Sequence, residues 1–147
     1  MIRVTRRYEF SASHRLHADS LTEEENRRLY GKCNNPFGHG HNYVLEVSVR
    51  GPVDARSGRA VDPAALDRLV SERVIRPLDH KNLNLQIEAF DRVVPTTENL
   101  GLLIHDRLKH AWPGVFPGLW PQLEKVRIAE TERNIFEVDE THNLQES

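Results

Sequence analysis

Apolar side chains recur at every second position along the start of the chain. Ile2, Val4, Tyr8, Phe10 and Ala12 share one parity, while Arg, Thr, Glu and Ser fill most of the other. Only an extended backbone sends alternate residues to one side, so Ile2 to His14 is a half-buried strand with His14 closing its apolar face. The same period returns from Tyr43 to Val49, where Tyr43, Leu45, Val47 and Val49 alternate with Val44, Glu46 and Ser48 until Gly51-Pro52 interrupts it. It returns once more from Gln122 to Val138, with Val126, Ile128 and Glu130 opposed to Lys125, Arg127 and Ala129 and a turn near Arg133.

Between these strands the period changes to that of a helix. Asp62-Pro63 is a start signal, a capping carboxylate followed by proline in the first turn, and Leu66, Leu69, Val70 and Val74 follow as a stripe. This helix is expected to end before Pro77. Thr96 or Thr97 caps a second helix whose stripe is Leu100, Leu103, Ile104, Leu108 and Ala111, and Pro113-Gly114 is expected to close it. A shorter helix within residues 21–32 ends at Gly31, and residues 54–59 form an irregular turn. The order ββααββ predicts an α+β fold, a four-stranded antiparallel sheet with two helices on one face. Residues 1–140 read as a single domain, with 141–147 a tail expected to be disordered. An open sheet has unpaired edges, which makes self-association the natural way to cover them.

Charge narrows the partners. The 20 basic and 22 acidic residues are scattered through 147 positions and leave a net charge of −2, so no basic face for nucleic acid is present. The start of the chain lacks the apolar run of a signal peptide or membrane span, and the lone Cys33 has no disulfide partner within the chain. A cytoplasmic protein with a small-molecule or protein partner is expected.

Chemistry concentrates in CNNPFGHGHNY, residues 33–43. His39 and His41, two apart, project from one side of an extended chain, and His14 on the first strand can join them. Three neutral imidazoles with a fourth position open are the ligand set of a catalytic zinc site. An isolated His-x-His is more often two hydrogen-bonded histidines. The glycines around His39 and the strand-end His14 favour the metal. Cys33 sits in a polar loop after Lys32, where a nearby cation would make its thiol a usable base. Asp79 and His80 are adjacent, a carboxylate able to fix an imidazole tautomer for proton relay. Thr96, Thr97 and Glu98 open the second helix, their simplest role being a cap. Glu130 has the parity of Val126 and Ile128, so it needs either a ligand with paired N–H donors or a salt bridge to Arg127 or Arg133. His17, His105, His110 and His142 read as ordinary surface residues.

Taken in order, FSASHRL (10–16), GKCNNPFGHGHNY (31–43), PLDHKNLN (77–84), TTEN (96–99) and ETERN (130–134) resemble the 6-pyruvoyl-tetrahydropterin synthase family over nearly the whole chain. The resemblance implies the tunnelling fold, in which subunits join their sheets into an oligomeric barrel, a trimer or a hexamer, with sites between subunits. It implies His14, His39 and His41 as zinc ligands, Cys33 as the proton-abstracting base, and Asp79 and His80 as its relay. Glu130 would hold the pterin ring, helped by Thr97 and Glu98. The implied reaction converts 7,8-dihydroneopterin triphosphate to 6-pyruvoyl-tetrahydropterin with loss of triphosphate, magnesium being a candidate ion for the latter. Arg15, Lys32 and Lys81 are candidate triphosphate partners. Relatives forming 6-carboxy-tetrahydropterin for deazaguanine synthesis use nearly the same residues, and the spacing in CNNPFGHGH favours the pyruvoyl type. A non-catalytic zinc-stabilised binding module is the alternative from another class.

Overall fold

The computed structural model describes residues 1–140, and the expected tail, with His142, lies outside them. Strands β1 (Ile2–His14) and β2 (His39–Gly51) pair antiparallel along their whole length, from Ile2 against Gly51 to His14 against His39. The equal lengths and matched alternation leave one register that buries both apolar faces together. Strand β4 (Gln122–Ala129) lies against β2 with a register shift at Ser48/Val49, and β5 (Ile135–Asp139) lies outside β4.

The sheet departs from the expected four antiparallel strands by one member. Residues Lys81–Asn82 form a two-residue strand β3 beside β1 and parallel to it, giving the order β3-β1-β2-β4-β5. Two residues carry no periodicity, so pattern alone could not reveal this strand. It forms because Asp79 Oδ1 accepts from the Ser11 N–H at 2.9 Å and the His80 N–H donates to the Ser11 carbonyl at 2.6 Å, drawing the chain onto the β1 edge.

Helix α1 (Glu23–Tyr30) starts in a capping box in which Thr22 and Glu25 each accept the other's backbone N–H, and it ends at Gly31 with φ 56°. Helix α2 (Pro63–Val70) begins on Asp62 as expected but does not stop before Pro77. It widens into a π-helical turn over Ser71–Ile75 and continues as α3 (Arg76–Leu78). Proline lacks an N–H and crowds the carbonyl four residues back, and the wider turn accommodates both. A single turn, α4 (Leu83–Gln86), follows β3. Helix α5 (Thr97–Val115), capped by Thr96 Oγ1, ends one residue past the expected stop at Pro113-Gly114. Its last turn is held by Trp112, whose ring lies tilted at 43° against Phe116 and whose Nε1–H donates to the Pro121 carbonyl at 3.0 Å.

Both long helical segments cover the same sheet face. Leu66, Leu69, Val70 and Val74 meet Leu100, Ile104 and Leu108 over Phe10, Tyr43, Leu45, Val47, Val126 and Ile128, all buried. The other face carries polar ladders such as Thr5–Ser48, Ser11–Asn42 and Arg127–Glu46. Among the described residues no helix is long and apolar enough to cross a membrane. His105, expected at the surface, is buried because it sits beside Ile104 on the packed side of α5.

Candidate metal centre

The centre lies where the inward faces of β1 and β2 run out of hydrocarbon. In the strand register His41 opposes Ala12 and His39 opposes His14, so His14 and His41 sit diagonally on the inward face. His14 is fully buried, and its Nδ1–H donates to the Pro95 carbonyl at 2.9 Å. A carbonyl cannot donate, so neutral His14 keeps the lone pair of Nε2 free, the arrangement that orients a metal-binding imidazole. That Nε2 is 3.1 Å from Nε2 of His41. Glu130 Oε1 lies 3.0 Å from the His41 nitrogen and 3.5 Å from that of His14. The Cys33 thiol is 3.9 Å from His41 Nε2, and the four ligating atoms lie within 4.8 Å of one another.

These separations fit a shared cation. Ligands about 2.0–2.1 Å from a tetrahedral centre are ~3.3 Å apart, close to the observed imidazole separation. Burial lowers the pKa of His14 and of His41 despite the nearby Glu130, which keeps both imidazoles in the neutral, ligating form. Burial, then the Glu130 carboxylate, pushes the Cys33 thiol up. The thiol is therefore protonated in the bare site, and a divalent cation would oppose both influences.

The remaining candidate residues fall into three places. His39 is exposed at the rim, its ring centroid 4.7 Å from that of His41 and outside the tight group of four. Thr97 is buried, its hydroxyl beside the Tyr43 phenol but without a well-formed hydrogen bond among the described residues, whereas Glu98 is exposed. Asp79 and His80 form a pair, Oδ2 to Nδ1 at 3.1 Å, with the Ser11 N–H and then the neighbouring His80 holding the Asp79 carboxyl low. His80 adopts φ 59° and is exposed at the sheet edge, and among the described residues nothing joins this pair to Cys33. Glu130 takes neither basic partner considered from sequence: Arg127 reaches Glu46 at 2.9 Å, and Arg133 makes no ion pair among the described residues.

Several supports of the centre carry no motif of their own. Gly38, with φ 82°, passes so close to His14 that an added Cβ would lie 3.3 Å from its carbonyl oxygen. Asn34 is buried, and its amide donates to the Leu16 carbonyl at 2.7 Å, tying the Cys33 loop to the end of β1. Asn84 brackets Arg15, accepting from its N–H at 2.7 Å and donating to its carbonyl at 2.9 Å. Their sequence signal is slight: asparagine and glycine crowded around titratable residues in loops.

A family model described as 6-pyruvoyl tetrahydropterin synthase matches residues 3–141. The chain belongs to the 6-pyruvoyl tetrahydropterin synthase family. It is 47% identical over 133 residues to the human 6-pyruvoyl tetrahydrobiopterin synthase, covering 90% of this chain and 87% of that protein. The solved structure of the Caenorhabditis elegans 6-pyruvoyl tetrahydropterin synthase superposes with a TM-score of 0.84 at 41% identity, covering 95% of this chain and 96% of that one. A putative 6-carboxy-5,6,7,8-tetrahydropterin synthase of Archaeoglobus fulgidus is 38% identical over 94 residues, 64% of this chain and 69% of that protein. Membership makes the chain an enzyme of the lyase class, and the five-stranded α+β architecture is the family's tunnelling fold.

Proposed function

We propose that this family member converts 7,8-dihydroneopterin triphosphate to 6-pyruvoyl-tetrahydropterin, expelling triphosphate, with zinc held by His14, His39 and His41. The observation that carries the reading is the convergence of two imidazole nitrogens, the Cys33 thiol and the Glu130 carboxylate within 4.8 Å. A structural site would use all four of these groups as ligands, whereas the proposed reaction leaves Cys33 and Glu130 to the substrate. Zinc bound there would supply Lewis acidity, and its charge would favour the thiolate of Cys33.

Cys33, facing the site from its loop, takes the proton from a carbon of the substrate's side chain. Glu130 accepts the paired N–H groups of the pterin's guanidine-like edge, and the buried Thr97 hydroxyl, beside the Tyr43 phenol, supplies a further polar contact, with Glu98 at the same helix start. Asp79 fixes the His80 imidazole, which returns protons to the rearranging side chain. Because His80 stands at a sheet edge apart from Cys33, this relay is completed by the Asp79-His80 pair of a second copy.

Incubation of the purified protein with 7,8-dihydroneopterin triphosphate, followed by mass spectrometry, tests the reading. A 6-pyruvoyl product is expected, and a 6-carboxy product would transfer the chain to the deazaguanine branch. Cys33→Ala is expected to lose turnover by at least about a thousandfold while metal analysis still finds zinc, since removal of a positioned base typically costs that order. Retained turnover would remove the cysteine from its role. A non-catalytic zinc module instead requires that chelation unfold the protein and that no turnover occur.

A further inference from the structure

Beside the metal centre, and sharing His39 with it, lies a cavity of about 470 Å³ whose charged walls are Arg15, Arg27, Lys32 and Glu23, with His17 also on its lining. This volume falls within the range of small-ligand clefts, about 300–1,000 Å³. Three cations from Arg15, Arg27 and Lys32 face the one carboxylate of Glu23 there, an excess of two positive charges. The groove between Arg73 and Arg107, by contrast, is balanced, being also lined by Glu72 and Asp106. Arg15, Arg27 and Lys32 make no ion pair among the described residues, although this chain forms such pairs freely elsewhere. Uncompensated cations grouped around a concave site are available for an anion.

The walls are rigid. Asn84 clamps the backbone of Arg15 from both sides, and Arg15 Nε donates to the Asn34 carbonyl at 3.3 Å, so its outer nitrogens are left to the cavity. Buried Asn26 accepts from the Ala18 N–H at 2.7 Å and donates to the carbonyls of Ala18 and Thr22, each at 3.0 Å, fixing α1 and with it Arg27. Lys81, the third basic candidate from sequence, lies in β3 at the sheet edge and does not line this cavity.

We infer that this cavity holds the phosphate chain of the substrate, with Arg27 of α1, Arg15 and Lys32 as its cationic walls. The inference rests on the proposed reaction for the identity of the ligand, whereas the anion site itself does not. Arg27 is the clean probe, being exposed on a helix and distant in sequence from the metal-binding positions. In the full-length zinc-loaded protein, calorimetric titration with inorganic triphosphate is expected to show about tenfold weaker binding for Arg27→Ala and a shallower salt dependence. Glu23→Gln is expected to tighten binding. In turnover, Arg27→Ala should raise KM for dihydroneopterin triphosphate about tenfold with little change in kcat, and Arg27→Lys should recover part of the loss. Arg28→Ala, one residue along α1 and not on the lining, serves as control. Equal losses from Arg28→Ala and Arg27→Ala would reduce the effect to a general charge field and overturn the site. Turnover with unchanged KM and unchanged triphosphate binding would overturn the site and leave the reaction standing. Arg27-dependent triphosphate binding without turnover would keep the site and remove the reaction.

Discussion

His14 shows how one residue takes its role from three neighbours. A carbonyl fixes its tautomer, hydrocarbon keeps it neutral, and His41 and Glu130 meet its free nitrogen. His39 and Glu130 compete at this scale for the place of third ligand. Elemental analysis of the purified variants is expected to find zinc lost from His39→Ala and kept in Glu130→Gln, and the reverse result would make Glu130 the ligand. Asp67 illustrates a different residue-level effect. Its carboxylate accepts from Arg6 Nη2 at 2.6 Å and from the Tyr8 hydroxyl at 2.7 Å, and Arg6 before Tyr8 holds its pKa below the ordinary carboxylate value. A folded pKa below the unfolded one adds stability above the unfolded value of about 3.9, and that stability is lost as pH falls through the folded pKa. Denaturant midpoints measured from pH 6 down to pH 2 are expected to fall more gently for Asp67→Asn than for the parent. Identical slopes would mean that the pair contributes nothing, as for many exposed ion pairs.

At the scale of elements, α5 anchors the helical layer. Leu100, Ile104 and Leu108 are fully buried on a helix that packs against β4 and β5, and the Pro95 carbonyl just before the helix holds His14. Helix and site are thus mechanically joined. Ile104→Ala is expected to cost about 2–5 kcal/mol in urea unfolding, through lost transfer energy and the cavity left behind. A cost under about 1 kcal/mol would show that the layer repacks without it. The helical stripes and both long strands were legible in sequence because each repeats its period over several turns or pleats. Strand β3 was not, since it depends on pairing with the distant β1, and neither was the π-helical turn before Pro77, which has no period of its own.

For the whole molecule, the sheet has β3 and β5 at its two edges, and the Asp79-His80 pair stands at the first of them. Edges left unpaired among the described residues, and the separation of the proposed relay from Cys33, both call for association. Light scattering is expected to give a trimer or a hexamer. Mixed oligomers assembled from Cys33→Ala and His80→Ala subunits should regain activity that neither variant has alone, because some interfaces then join an intact Cys33 to an intact His80. Failure to complement, with oligomers formed, would place the relay within one chain. Residue periods alone determined the α+β layer, the inward parity of His14, His39 and His41, and the clustering of chemistry in residues 33–43, because side-chain direction along a strand is a local property. Only the tertiary structure decided that Glu130 turns to the histidines rather than to an arginine, that Asn84 and Asn26 stiffen a basic cavity, and that His105 is buried. Those outcomes depend on which segments meet across the sheet, and no local pattern encodes that distance.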